Sequence, residues 1–128
     1  MTRTAQERRQ APASDSPWGP IESTETIADG ITFISTASHG GIRLSQWRHK
    51  IVLRAIPAWE TFAGGRWYEE DCDWAVLALI FPEKFPTKTK DARTMVYWLA
   101  KKLPRWQAVA DWIDAFDTAT ARMAAGLE

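Results

Sequence analysis

Residues 67–74 read Trp67-Tyr68-Glu69-Glu70-Asp71-Cys72-Asp73-Trp74, which places four carboxylates, the only cysteine and three aromatic rings in eight positions. Like charges this close repel, and a fold holds them together only against an offset such as a helix N-terminus, a cation or a basic partner. The chemistry divides three ways. The carboxylates can complement a helix dipole and pair with arginines such as Arg43 or Arg66. They can bind a hard divalent cation through oxygen. Alternatively, Cys72 can act as a nucleophile, with His39 as its base and a carboxylate as orienter. Adjacent carboxylates raise a thiol pKa, which weighs against the nucleophile and leaves Cys72 as a small buried residue by default.

A second cluster is Ser38-His39-Gly40-Gly41. Glycines let backbone N–H groups approach an anion or a partner chain, and a histidine beside them can serve as acid, base or ligand. The plainer reading is a turn whose histidine bonds a neighbouring carboxylate or carbonyl. A third feature is basic. Lys84, Lys88, Lys90, Arg93, Lys101, Lys102 and Arg105 stand against Asp91 alone and interleave with Phe85, Trp98 and Trp106. Phosphate contact with base stacking is conceivable there, but a solvated helix face accounts for the lysines more simply.

The elements that must position these groups are legible in outline. Ile21 to Ile27 alternates, Asp29-Gly30 is a two-residue hairpin signal, Ile31 to Thr36 alternates again, and Ile42 to Leu44 looks like a third strand. In the second strand Ile31, Phe33 and Ser35 share one face. Ser45 can cap a short helix, and Pro57 can open a turn that Gly64-Gly65 ends. Glu69 to Phe81 reads as a central helix with acids in its first turn and an apolar body, stopped by Pro82. On that helix Glu69 and Asp73 share a face four residues apart. Thr89 to Leu103 carries a stripe of Ala92, Met95, Val96, Leu99 and Leu103. Pro104 separates it from a last helix striped by Trp106, Val109, Ala110, Ile113 and Phe116.

A length of 128 residues fits one domain, and the eight tryptophans supply enough area for a firm core. Met1 to Ser16 is polar and reads as a disordered arm, with the domain spanning 17–128. The net charge of zero suggests no polyanion partner, yet the separated acidic and basic stretches make the fold dipolar and suited to oriented docking. A single cysteine excludes an internal disulfide and any multi-cysteine zinc site. It fits a reducing cytoplasm, and neither a signal peptide nor a membrane span is expected.

The stretch Gly30-Ile31-Thr32-Phe33-Ile34-Ser35-Thr36-Ala37-Ser38-His39-Gly40-Gly41, then Trp67 to Ala75, then Phe81-Pro82, resembles a domain-of-unknown-function family of alphaproteobacterial phage and plasmid proteins. The resemblance covers Trp18 to Pro86. It implies a mobile-element accessory protein, and small proteins of that origin often block host defence by binding nuclease complexes.

These readings converge on an α+β domain: a three-stranded antiparallel sheet, a central packed helix and a C-terminal two-helix hairpin. The expected function is a non-enzymatic inhibitor or adaptor of anti-CRISPR or anti-restriction type, binding a host protein or nucleoprotein complex. Glu69, Glu70, Asp71 and Asp73, with Trp67 and Tyr68, would form the contact surface. The basic surface of Lys84, Lys88, Lys90, Arg93, Lys101 and Lys102 stands apart, and direct nucleic-acid binding ranks second. No cofactor or metal is expected. The alternative is a small hydrolase-like enzyme using His39 with Cys72 or with the Glu69 and Asp71 carboxylates, in a version that a metal would assist.

Overall fold

The computed structural model describes residues 15–126, so most of the expected N-terminal arm lies outside the described residues. Asp15 and Ser16 are described, and they form β1 (Asp15–Ser16), which pairs with β2 (Gly19–Pro20) in a small hairpin. The main sheet is antiparallel, in the order β3 (Ser23–Ala28), β4 (Ile31–Ser35), β5 (Gly40–Leu44), β6 (Trp67–Glu69). It therefore has four strands where the sequence suggested three. The Asp29-Gly30 turn joins β3 to β4, with Gly30 at φ 81°, the left-handed conformation that favours glycine.

Register decides the two faces of this sheet. Ile31 opposes Leu44 and Phe33 opposes Ile42, while Ile42 in turn opposes Tyr68. These side chains share the face that packs on the helices. On the other face Ile34 opposes Gly41, and Gly41 opposes Glu69. Ile34 is fully buried, so this strand buries side chains on both faces. Trp18, from the loop of the small hairpin, lies across the second face. A Cβ on Gly41 would stand 2.3 Å from its ring and 2.6 Å from the Tyr68 carbonyl.

Ser45 accepts a hydrogen bond from the Arg48 N–H at 3.3 Å and caps α1 (Gln46–Ala55), a longer helix than the sequence suggested. Chain 57–66 then turns back into β6. The expected helix from Glu69 does not exist in that form. Trp67, Tyr68 and Glu69 are strand, residues 70–73 turn, and α2 begins at Trp74 and ends at Ile80. Its body is apolar on every side as expected, with Ala75, Val76, Leu77, Ala78 and Leu79 all buried. Pro82 ends it in a short 3-10 turn.

α3 (Thr89–Ala100) buries Ala92, Val96 and Leu99 on α2 and the core. A second 3-10 turn at Pro104–Trp106 reverses the chain into α4 (Gln107–Ala124). Arg93 pairs with Asp117 and Tyr97 with Asp114, so the two helices run antiparallel as the expected hairpin. Trp59, Tyr68 and Trp106 meet at the base of the core. The Trp59 and Trp106 rings stand 5.0 Å apart edge to face, and Trp59 stacks on Tyr68 at 6.4 Å.

Candidate functional site

The turn after β6 splits the acidic octet between inside and outside. Glu69 is the last strand residue and is buried. Its Oε1 accepts the Cys72 N–H at 2.6 Å and the Asp73 N–H at 3.3 Å, so the carboxylate closes the turn that follows it. Asp73 is fully buried at the start of α2. Its Oδ2 accepts the Phe62 N–H at 2.9 Å, and its Oδ1 accepts from Arg105 Nη2 at 2.9 Å. Burial pushes the Asp73 carboxyl up, and the Phe62 N–H and the Arg105 guanidinium pull it back. Glu70 and Asp71 remain exposed. The proposition that all four carboxylates face outward is thus corrected: Glu69 and Asp73 are turned inward and hydrogen-bonded, because the segment is strand and turn rather than a helix turn with a solvent face.

The aromatic half of the predicted surface is corrected too. Tyr68 is fully buried, its hydroxyl 2.7 Å from His49 Nδ1. Trp67 is half-buried, edge-on to Trp18 at 5.9 Å. The basic residues divide in the same way. Arg93 and Arg105 are engaged by Asp117 and Asp73, whereas Lys84, Lys88, Lys90, Lys101 and Lys102 are exposed. The Lys102 ammonium sits 3.9 Å above the Trp98 ring.

His39 is brought to the acidic turn. The Thr36 hydroxyl accepts the His39 N–H at 3.1 Å and donates to the His39 carbonyl at 2.7 Å, which fixes the tip between β4 and β5. The Glu70 N–H donates to the Gly40 carbonyl at 3.1 Å, extending the β5–β6 pairing into the turn. At Gly40 a Cβ would stand 3.0 Å from the Glu70 carboxylate, so the glycine makes room for that side chain. In this frame His39 Nε2 lies 3.9 Å from Glu69 Oε2 and 3.9 Å from Asp71 Oδ2, with the imidazole about one-third exposed beside Trp18.

Cys72 faces another way. It lines a groove of about 460 Å³ with Asp71, Asp91, Thr94, Met95 and the exposed Trp98. Burial first, then the Glu69, Asp73 and Asp71 charges, push its thiol up. That is the direction opposite to an activated nucleophile. Sequence reasoning did not find this groove, because Asp91 and Trp98 approach Asp71 only through the packing of α3 on α2. Nor did it find the Asp73–Arg105 pair, whose members are 32 residues apart, although an unmatched acid and an arginine in a basic run were both in view. A second cleft of about 380 Å³ lies between α1 and the 59–65 loop, lined by His49, Leu53, Trp59, Glu60, Thr61, Gly64 and Gly65. No sequence signal marked His49.

An antiparallel four-stranded sheet backed by a helical layer, with the 36–39 and 70–73 turns at the same sheet end, places this chain among α+β domains. More narrowly, it belongs to the family described as Domain of unknown function (DUF7007), whose pattern spans residues 11–126. The family therefore extends through α4, beyond the Trp18–Pro86 stretch that carried the resemblance. No curated protein and no solved structure matches the chain. Among the described residues no helix is long and apolar enough to cross a membrane.

Proposed function

We propose that the protein is a non-enzymatic binding protein that captures a basic segment of a host protein or nucleoprotein complex in the groove between the acidic turn and α3. The observation that carries this reading is the groove's make-up: an apolar wall of Met95 and Trp98 flanked by the carboxylates of Asp71 and Asp91. A lysine or arginine side chain has the matching form, with an aliphatic stem for the wall and a cationic head for the carboxylates. Lys102 already rests its ammonium on the Trp98 ring, so the chemistry that this indole offers a cation is realised within the chain. The contact surface is narrower than the octet, and consists of Asp71 with Asp91, Met95 and Trp98. A mobile-element origin and a counter-defence role are consistent with such a surface, and belong to the same proposal.

The test is capture from a host lysate at low and high salt, comparing the wild-type chain with Trp98→Ala and with Asp71→Asn/Asp91→Asn. A true partner is retained by the wild type and lost by both variants, each still folded by circular dichroism. A partner held equally by all three removes the reading.

A second reading, a hydrolase-like enzyme, is favoured by the convergence of His39 with Glu69 and Asp71. Its Cys72 form loses weight because the thiol is pushed up. A carboxylate form would use His39 as acid or base at an open edge of the sheet. Turnover of a generic ester or phosphodiester that disappears in His39→Ala would support it, and identical rates in the two proteins would remove it.

A further inference from the structure

We propose that His39, Glu69 and Asp71 form a binding site for a borderline divalent metal ion of the Zn²⁺ or Mn²⁺ type. The site lies beside the docking groove and shares Asp71 with it. One imidazole nitrogen and two carboxylate oxygens from these residues all lie within 4.8 Å of one another. A nitrogen ligand beside two oxygens suits Zn²⁺ and Mn²⁺ better than Mg²⁺, which prefers oxygen and retains its waters.

The spacing fits an ion better than it fits direct contact. At 3.9 Å from each carboxylate, His39 Nε2 is beyond the roughly 2.7–3.2 Å of a hydrogen bond. Ligands about 2.0–2.2 Å from a shared ion stand roughly 3.0–3.6 Å apart, so small side-chain movements would close the site.

Glu69 supplies the second, independent observation. Its side chain is nine-tenths buried. The backbone N–H groups of Cys72 and Asp73 hold Oε1, while Oε2 is directed at His39, 3.9 Å from its Nε2. An enclosed carboxylate with one oxygen turned towards a histidine nitrogen, beyond hydrogen-bond reach of it, offers that oxygen to a cation. The bonds to Oε1 also orient the carboxylate, as outer-shell contacts do in metal sites. The Thr36 turn holds the backbone of His39, and the β5–β6 pairing fixes the separation of the two segments. Asp71 is exposed and would close the site from the solvent side, which leaves the remaining coordination positions to water.

The competing arrangement is a protonated His39 lying between two carboxylates without a metal. Calorimetric titration of the EDTA-treated full-length chain with Zn²⁺ and with Mn²⁺, alongside native mass spectrometry, separates the two. The proposal expects one ion per chain, bound more tightly as Zn²⁺ than as Mn²⁺. His39→Ala and Asp71→Asn, both at solvent-facing positions, should each weaken binding at least about tenfold. His49→Gln and Asp91→Asn should leave it unchanged. Absence of stoichiometric binding to the wild type, or affinity unaltered in His39→Ala, overturns the site. Because Asp91→Asn touches only the groove, loss of partner capture with intact ion binding would separate a failure of one proposal from a failure of the other.

Discussion

At the scale of single residues, two positions tie the acidic turn to the rest of the fold by opposite means. Asp73 is a buried charge that Arg105 answers, and removing one partner of such a pair leaves the other uncompensated. Arg105→Ala should therefore destabilise the chain by about 3–5 kcal/mol. The double variant Asp73→Asn/Arg105→Met should recover much of that loss, because an amide can still accept the Phe62 N–H. Urea denaturation of the three proteins checks both statements. Gly41 acts through absence. Trp18 lies on the space a side chain would occupy, with the Tyr68 carbonyl on the other side. Gly41→Ala should cost about 1–3 kcal/mol through overpacking and shift the emission of a tryptophan that has lost its seat. Gly40→Ala should cost less, since the Glu70 side chain can swing away and the nearest backbone atom, the Ile34 carbonyl, stands 3.1 Å off rather than the 2.6 Å of the Tyr68 carbonyl at Gly41. A smaller drop in urea midpoint for Gly40→Ala than for Gly41→Ala is the expected order.

At the scale of elements, the lesson lies in where local pattern was enough. The Asp29-Gly30 hairpin, the Ser45 cap, the apolar body of α2 and the antiparallel pair of α3 and α4 all rest on signals within a few residues, and all are present. β6 was not legible. Acids before an apolar run look like a helix's first turn, yet Trp67-Tyr68-Glu69 is taken up by the open edge of β5, pairing with Arg43, Ile42 and Gly41 far upstream, which no local window contains. The alternation was there to see: Tyr68 enters the core while Trp67 and Glu69 take the other face. The cost of missing that strand was two carboxylates assigned to the wrong environment. The His39 cluster was named from residue types, but its geometry depends on the same β5–β6 register. β6 is further tied to α1 by the hydrogen bond between Tyr68 and His49. Burial, and then the Arg66 charge, hold the His49 pKa below its ordinary 6.5. Tyr68 is itself pushed up by burial and stays neutral, and Glu60 is the acid lining the same cleft. The sign follows directly. An unfolded chain takes up a proton at His49 near pH 6.5 that the native chain refuses, so this contribution to stability is complete above that pH and is lost as pH falls through the depressed folded value. Urea midpoints between pH 7.5 and 5.5 should fall with acid in the wild type, and fall less in His49→Gln.

At the scale of the whole molecule, stability and recognition are distributed unevenly along the chain. The core gathers α2, the inner face of the sheet, the inner stripe of α3 and only the first part of α4, through Val109, Ala110 and Ile113. From Asp114 onward every described residue of α4 is exposed, Phe116 and Met123 among them. What holds this second half to α3 is polar: Asp114 to Tyr97 and Asp117 to Arg93. Exposed pairs of this kind contribute about 0–1 kcal/mol each, whereas burial of one aliphatic core side chain contributes about 1.5–3 kcal/mol. A chain ending at Thr118 keeps both pairs and every core contact of α4, so its thermal midpoint should lie within a few degrees of the full-length value. A chain ending at Ala108 loses Val109, Ala110 and Ile113 together, and should fail to unfold cooperatively at all. Differential scanning calorimetry of the two truncations distinguishes these outcomes. The groove is lined on α3 by Asp91, Thr94, Met95 and Trp98, whereas α4 is held by Arg93 and Tyr97. The shorter truncation should therefore retain ion binding at His39, Glu69 and Asp71 and capture of a basic partner at Trp98. Loss of either in a chain that melts normally would mean that the exposed end of α4 is itself part of the binding surface.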